Sequence, residues 1–220
     1  DVRELSNGYA VLNVKKELID EVANVEEIIY IEKPAALIFS LLRGKQASCI
    51  NEVQQTFANN ENNGLFGEGV IVGIADSGID FTHEAFRNQD GTTRILNLWD
   101  QTNDRIYSAE EINEALKSEN PYELVNSVDY SGHGTHVAGI AAGNFAENKN
   151  DNLGIATKSS LVIVKLALAG ERSFPRTTQL MEAVDYMIKV AESYKMPLAM
   201  NLSFGNSYGS HDGTSLISTY

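Results

Sequence analysis

Cysteine is nearly absent from this 220-residue chain; Cys49 is its only one. A single thiol forms no internal disulfide and builds no thiolate metal cluster within one chain, so Cys49 is read as a small, half-buried apolar residue. Proline is scarce, with four residues, in keeping with an ordinary globular composition. Basic residues are outnumbered, 17 Lys and Arg against 30 Asp and Glu, for a net charge of −13. Such a surface repels phosphate backbones and anionic bilayers, so neither nucleic acid nor a membrane is expected as a partner. No apolar run approaches the length of a membrane span, and the opening "DVRELSNGYA" lacks the pattern of a secretory signal. The chain starts at Asp rather than Met, which leaves its location open, secreted and spore-associated included.

What is present describes an ordinary globular protein, 43% hydrophobic with 17 Gly. Residues 1–48 read as a small α+β unit. Strands are expected at 8–14, 27–34 and 35–42, and a helix over 15–25 places Leu18, Ile19 and Val22 on one face. The polar, Asn-rich stretch 43–69 then leads into a second unit, 49–220. Here "VIVGIAD" (70–76) is a short apolar run of the kind buried on both faces of a parallel sheet. Strands follow at 160–169 and 197–205. Between them lie a small-residue helix at 136–143 and an amphipathic helix at 177–193 with Thr177 or Thr178 as N-cap. Strand–helix alternation implies an α/β fold with a doubly wound parallel sheet, whose active groups collect at the carboxyl ends of the strands. The insertion between Asp76 and His133 carries a strand, "RILNLWD", with the only Trp, Trp99, and a helix, "SAEEINEALKS", capped by Ser108.

Asp76 ends a buried strand in "DSGID", and His133 opens "HGTHVAGI". A carboxylate at a strand end and an imidazole at a helix start can meet across one sheet edge. The Asp then fixes the tautomer, and the imidazole's other nitrogen is left to take a proton from a nucleophile.

In this order and setting the sequence resembles the subtilases, the subtilisin-like serine peptidases. "VIVGIADSGID" looks like their aspartate motif and "HGTHVAGIAAG" like their histidine motif, which implies Asp76 and His133 as catalytic residues. The resemblance runs from Gly69 onward. It implies that Asn201, Leu202, Ser203, Phe204 and Gly205 line the cleft and pair with an extended polypeptide substrate. It also implies that residues 1–48 are a propeptide blocking that cleft, with processing near 47–50. "GYAVLNV", "YIEKP" and "DGTTRILNLWDQT" are further similar to the clostridial branch that includes spore-germination (Csp) proteases, and a germination role is one expectation from that branch.

Ser215, in "HDGTSLISTY", has the Gly-Thr-Ser of a subtilase nucleophile but neither the following Ala nor the Pro. It lies ten residues after Gly205, where the family pattern places a helix start, so it reads as a helix cap. The nucleophile and the oxyanion Asn are expected outside these 220 residues, and the chain alone is expected to be inactive. His136 reads as a packed helical histidine rather than a second base, and His83 and His211 as loop residues. No metal site or cofactor is expected. The oxygen-rich loop 143–154 is the one place suited to calcium, ranked below a solvated loop. Three readings stand: a serine endopeptidase, a peptide-binding pseudoprotease, or an unrelated doubly wound domain.

Overall fold

The protein was analysed as a computed structural model, which describes residues 2–33, 38–39, 50, 65–144, 154–167, 175–205 and 213. In the first unit, β1 (Val2–Glu4) and β2 (Ala10–Leu12) form an antiparallel hairpin, Val2 opposite Leu12. Its turn passes through the left-handed region at Asn7 and Gly8, which Asn and Gly tolerate better than other residues. Helix α1 (Ile19–Ala23) falls within the expected segment. The expected helical face is not buried among the described residues, for Leu18 and Ile19 are 41% and 43% exposed.

One expected strand in this unit is corrected. Residues 27–33 form no strand, and Ile29 is almost fully exposed. β-rich composition makes a strand only where a neighbour supplies the ladder. Of the expected strand 35–42, the described residues form β3 (Ile38–Phe39), which pairs outside its own unit, and the remainder lies outside the described residues.

The second unit is built on one five-stranded sheet. Its strands are β4 (Ile71–Asp76), β5 (Ile95–Asp100), β6 (Arg105–Ser108), β7 (Ser160–Lys165) and β8 (Leu198–Leu202), in the order β6-β5-β7-β4-β8. All neighbours are parallel except β5 and β6. This is the α/β doubly wound architecture read from the sequence, with one antiparallel edge contributed by the insertion. Between the strands run α2 (Ala109–Ala115), α3 (Pro121–Leu124), α4 (His133–Ala142) and α5 (Thr177–Tyr194).

Side-chain alternation along the strands divides the core into two layers. Val72, Ile74, Leu161 and Ile163 face one way, packing with Val137, Ala138 and Ala142 of α4 and with Ile112 and Ala115 of α2. Ile71, Ala75, Val162 and Val164 face the other way, against Leu180, Ala183, Met187 and Ala191 of α5. Gly73 belongs to this second face, and a Cβ there would run into the Met187 sulfur.

Ser108 caps α2 with a complete capping box, accepting from Glu111 N while the Glu111 carboxylate accepts from Ser108 N. Helix α5 differs from expectation at its start. Gln179 Oε1 accepts from Arg176 N at 2.9 Å, so Arg176 is the N-cap, and Thr177 already lies inside the helix and is buried.

The two units touch through α5 and the β5–β6 turn. Arg3 reaches Glu182 at 3.1 Å and Asp104 at 3.4 Å, and Ser6 N donates to Asp185 Oδ1 at 3.0 Å. Burial raises the Glu182 pKa, the Arg3 charge opposes that rise, and the Asp104 carboxylate adds to it. Beyond β8, β9 (Phe204–Gly205) pairs antiparallel with β3, Ile38 opposite Gly205 and Phe39 opposite Phe204. No described helix is long and apolar enough to cross a membrane.

Candidate active site

Parallel register brings three charged side chains to the carboxyl edge of the sheet. Asp76 ends β4 opposite Lys165 of β7, and Lys165 stands opposite Asp100 of β5. Lys165 Nζ binds Asp100 Oδ2 at 3.0 Å. Its ammonium also lies 5.7 Å from the centre of the exposed Tyr130 ring.

Asp76 is fully buried, and its Oδ1 is 2.7 Å from His133 Nδ1. The same oxygen accepts from Ser77 N at 2.7 Å. Burial raises the Asp76 pKa, and the hydrogen bonds from His133 and Ser77 counter part of that rise. Close approach of helix to turn makes the contact possible. Gly134, directly after His133, packs on the backbone of Gly78, where any side chain would collide. Gly78 has φ of 130°, a conformation that suits glycine.

His133 is the first residue of α4, and each of the helix's first three amides has an oxygen partner. His133 N donates to Ser131 Oγ, Gly134 N to Ser77 Oγ and Thr135 N to Asp129 Oδ2, at 3.1, 2.9 and 2.8 Å. The far end of the helix is met by a buried cation. Arg94 donates to the carbonyls of Ala142, Ala156 and Ser159 at 2.7 to 3.1 Å. Burial pushes the Arg94 pKa down to about 10. An anion at the N-terminus and a cation at the C-terminus both complement the helix dipole.

Asp76 and His133 are thus brought together, while the remaining expected positions divide. Asn201 and Leu202 lie on β8 next to β4, with Leu202 opposite Ala75. Asn201 Nδ2 donates to Ser203 Oγ at 2.6 Å, and Phe204 and Gly205 form β9. His136 is exposed rather than packed, because it falls on the solvent face of α4. His83 Nδ1 accepts from Ala85 N and caps a short 3-10 turn. Cys49, His211, Ser215, the 47–49 part of the processing segment and most of the loop 143–154 lie outside the described residues. Among the described residues no three His, Cys, Asp or Glu side chains gather as a metal site.

Sequence reasoning missed Ser77, Asp129, Thr135, Lys165, Asp100 and Arg94. For Asp129 and Thr135 a signal existed, an acidic residue and a hydroxyl flanking a helix start. For Lys165 and Asp100 the signal is strand register, which one sequence does not display.

The subtilase family (peptidase S8) matches residues 67–218, the stretch that holds the five-stranded sheet and the Asp76–His133 contact. The chain belongs to this family. Residues 1–35 match the Csp protease B prodomain. The structure of the CspB protease of Clostridium perfringens is similar with a TM-score of 0.71 and 42% identity, over 79% of this chain and 36% of that one. This assigns the chain to the Csp-like branch. The major intracellular serine protease of Bacillus subtilis is 29% identical over 126 residues, 57% of this chain and 32% of the relative. Subtilisin-like protease 5 of Arthroderma otae is 25% identical over 207 residues, 91% of this chain and 43% of the relative. The chain therefore spans about a third to two fifths of the length of these proteins.

Proposed function

We propose that these residues are part of a serine endopeptidase in which Asp76 and His133 serve a nucleophilic serine and an oxyanion donor lying outside residues 1–220. The observation that supports this reading is the 2.7 Å contact between Asp76 Oδ1 and His133 Nδ1 at the carboxyl edge of the sheet. Asp76 accepts a hydrogen bond from Nδ1–H, which leaves Nε2 as the basic nitrogen. As the serine oxygen attacks the scissile carbonyl, Nε2 takes its proton, and the buried Asp76 carboxylate stabilises the imidazolium that forms. The same proton passes to the leaving amine. Water then releases the acyl group by the reverse sequence, with His133 again acting as base.

Residues 201–205 are proposed as one wall of the substrate cleft. The pairing of β3 with β9 supports this, since Ile38 and Phe39 add an antiparallel strand where an extended peptide would lie. It equally supports residues 1–48 as a propeptide that occupies the cleft. Asp76→Asn or His133→Ala in the full-length protein should lower kcat for peptide hydrolysis by about 10⁴-fold or more. Hydrolysis unaffected by either change sinks the proposal. No hydrolysis by the unaltered protein, with the Asp76–His133 contact intact, identifies a peptide-binding pseudoprotease instead.

A further inference from the structure

The groups that hold Asp76 and His133 together are not themselves part of the pair. Ser77 follows Asp76; its Oγ donates to Asp129 Oδ1 at 2.8 Å and accepts from Gly134 N at 2.9 Å. Asp129 Oδ1 also accepts from Gly132 N at 3.0 Å and Ser131 Oγ at 3.3 Å. Its Oδ2 accepts from Thr135 N at 2.8 Å and Thr135 Oγ1 at 2.7 Å. Thr135 Oγ1 in turn accepts from Asp80 N at 2.8 Å, which ties α4 back to the turn after β4. One carboxylate thus joins the turn that begins with Asp76 to the helix that begins with His133. Burial acts to raise the Asp129 pKa, but the hydrogen bonds from Thr135, Ser77 and Gly132 outweigh it and hold the pKa below the usual carboxylate value. At neutral pH the group is an anion at a helix N-terminus.

We infer that Asp129, acting through Ser77 and the first turn of α4, is a positioning residue that sets the Asp76–His133 contact. The inference rests on the catalytic reading above. Pre-organisation of this kind carries a large share of a rate, because a displacement of about 1 Å in a reacting group can cost on the order of 10²-fold. An Asn at 129 keeps the size but loses the charge and one of the two accepting oxygens. It cannot accept from both Gly132 N and Thr135 N, which donate to different oxygens of the carboxylate.

The test uses Asp129→Asn and Ser77→Ala in the full-length protein, labelled with ¹⁵N-histidine. The first readout is the downfield proton resonance of His133 Nδ1–H. The second is the division of peptide hydrolysis between kcat and KM. Asp129→Asn is expected to broaden or remove the resonance and to lower kcat by about 10²-fold, with KM changed less than about threefold. Ser77→Ala should move both readouts the same way by a smaller amount, and it decides the question if Asp129→Asn does not fold. A folded variant with the wild-type resonance and kcat within twofold of wild type overturns the inference, since a purely stabilising role would leave both untouched. A wild type without hydrolysis sinks the catalytic reading, and the resonance then decides the role of Asp129 by itself.

Discussion

Arg94 offers a sharp test of how the helix carrying His133 is held. Its guanidinium is buried with no carboxylate among its hydrogen-bond partners in the described residues; Nε and Nη2 share the Ser159 carbonyl at 3.0 and 2.8 Å, Nη1 meets Ala142 at 2.7 Å and Nη2 meets Ala156 at 3.1 Å. Ala156 O keeps its bonds from Ser159 N and Oγ if the arginine is removed, whereas Ala142 O and Ser159 O depend on it among the described residues. Four charge-assisted bonds at roughly 1.5 kcal/mol each give about 6 kcal/mol. Burying the charge lowers the pKa from 12.5 to about 10, which offsets about 3 to 4 kcal/mol at roughly 1.4 kcal/mol per pH unit. Arg94→Met should therefore destabilise by about 3 kcal/mol, and Arg94→Lys, which retains charge but not the fork, by about half of that. Urea unfolding followed by Trp99, the one tryptophan of these 220 residues, should show a midpoint lowered by about 1.5 M at a slope of about 2 kcal/mol per M. A shift below about 0.3 M for Arg94→Met would mean that the carbonyls have other partners and that Arg94 does not hold the helix end.

Two further outcomes follow from the site. Gly134→Ala places a methyl against the Gly78 backbone and is expected to cost about 3 kcal/mol, together with the His133 Nδ1–H resonance; a folded variant with that resonance intact contradicts the packing described. Asp129 has a folded pKa below its unfolded value, so its contribution to stability is present above about pH 4 and is lost as pH falls through the folded value. The fall in stability on acidification should accordingly be shallower in Asp129→Asn than in wild type, and parallel curves would argue against the hydrogen bonds assigned to it.

The core sheet was legible because its signals are local. Residues 70–76 and 160–165 are apolar runs too short for helices, and the Ser108 capping box is written in four consecutive positions. The Asp76–His133 pair was legible for a different reason, two motifs in fixed order flanking a strand end and a helix start. Long-range partners were not. Nothing adjacent to Lys165 announces Asp100, and Arg94 looks like any surface arginine until the end of α4 and the turn 156–159 fold around it. The first unit shows the converse error. Residues 28–31 have strand composition, but pairing is a property of the neighbour as well, and β3 found its neighbour in β9 rather than within its own unit.

Activation of a serine outside residues 1–220 by Asp76 and His133 can be tested most directly by reacting the full-length protein with a fluorophosphonate and mapping the adduct by peptide mass spectrometry. One modified serine outside this segment is expected, with labelling abolished by His133→Ala. An adduct on Ser215 or another serine within residues 1–220, or labelling indifferent to His133→Ala, would contradict it.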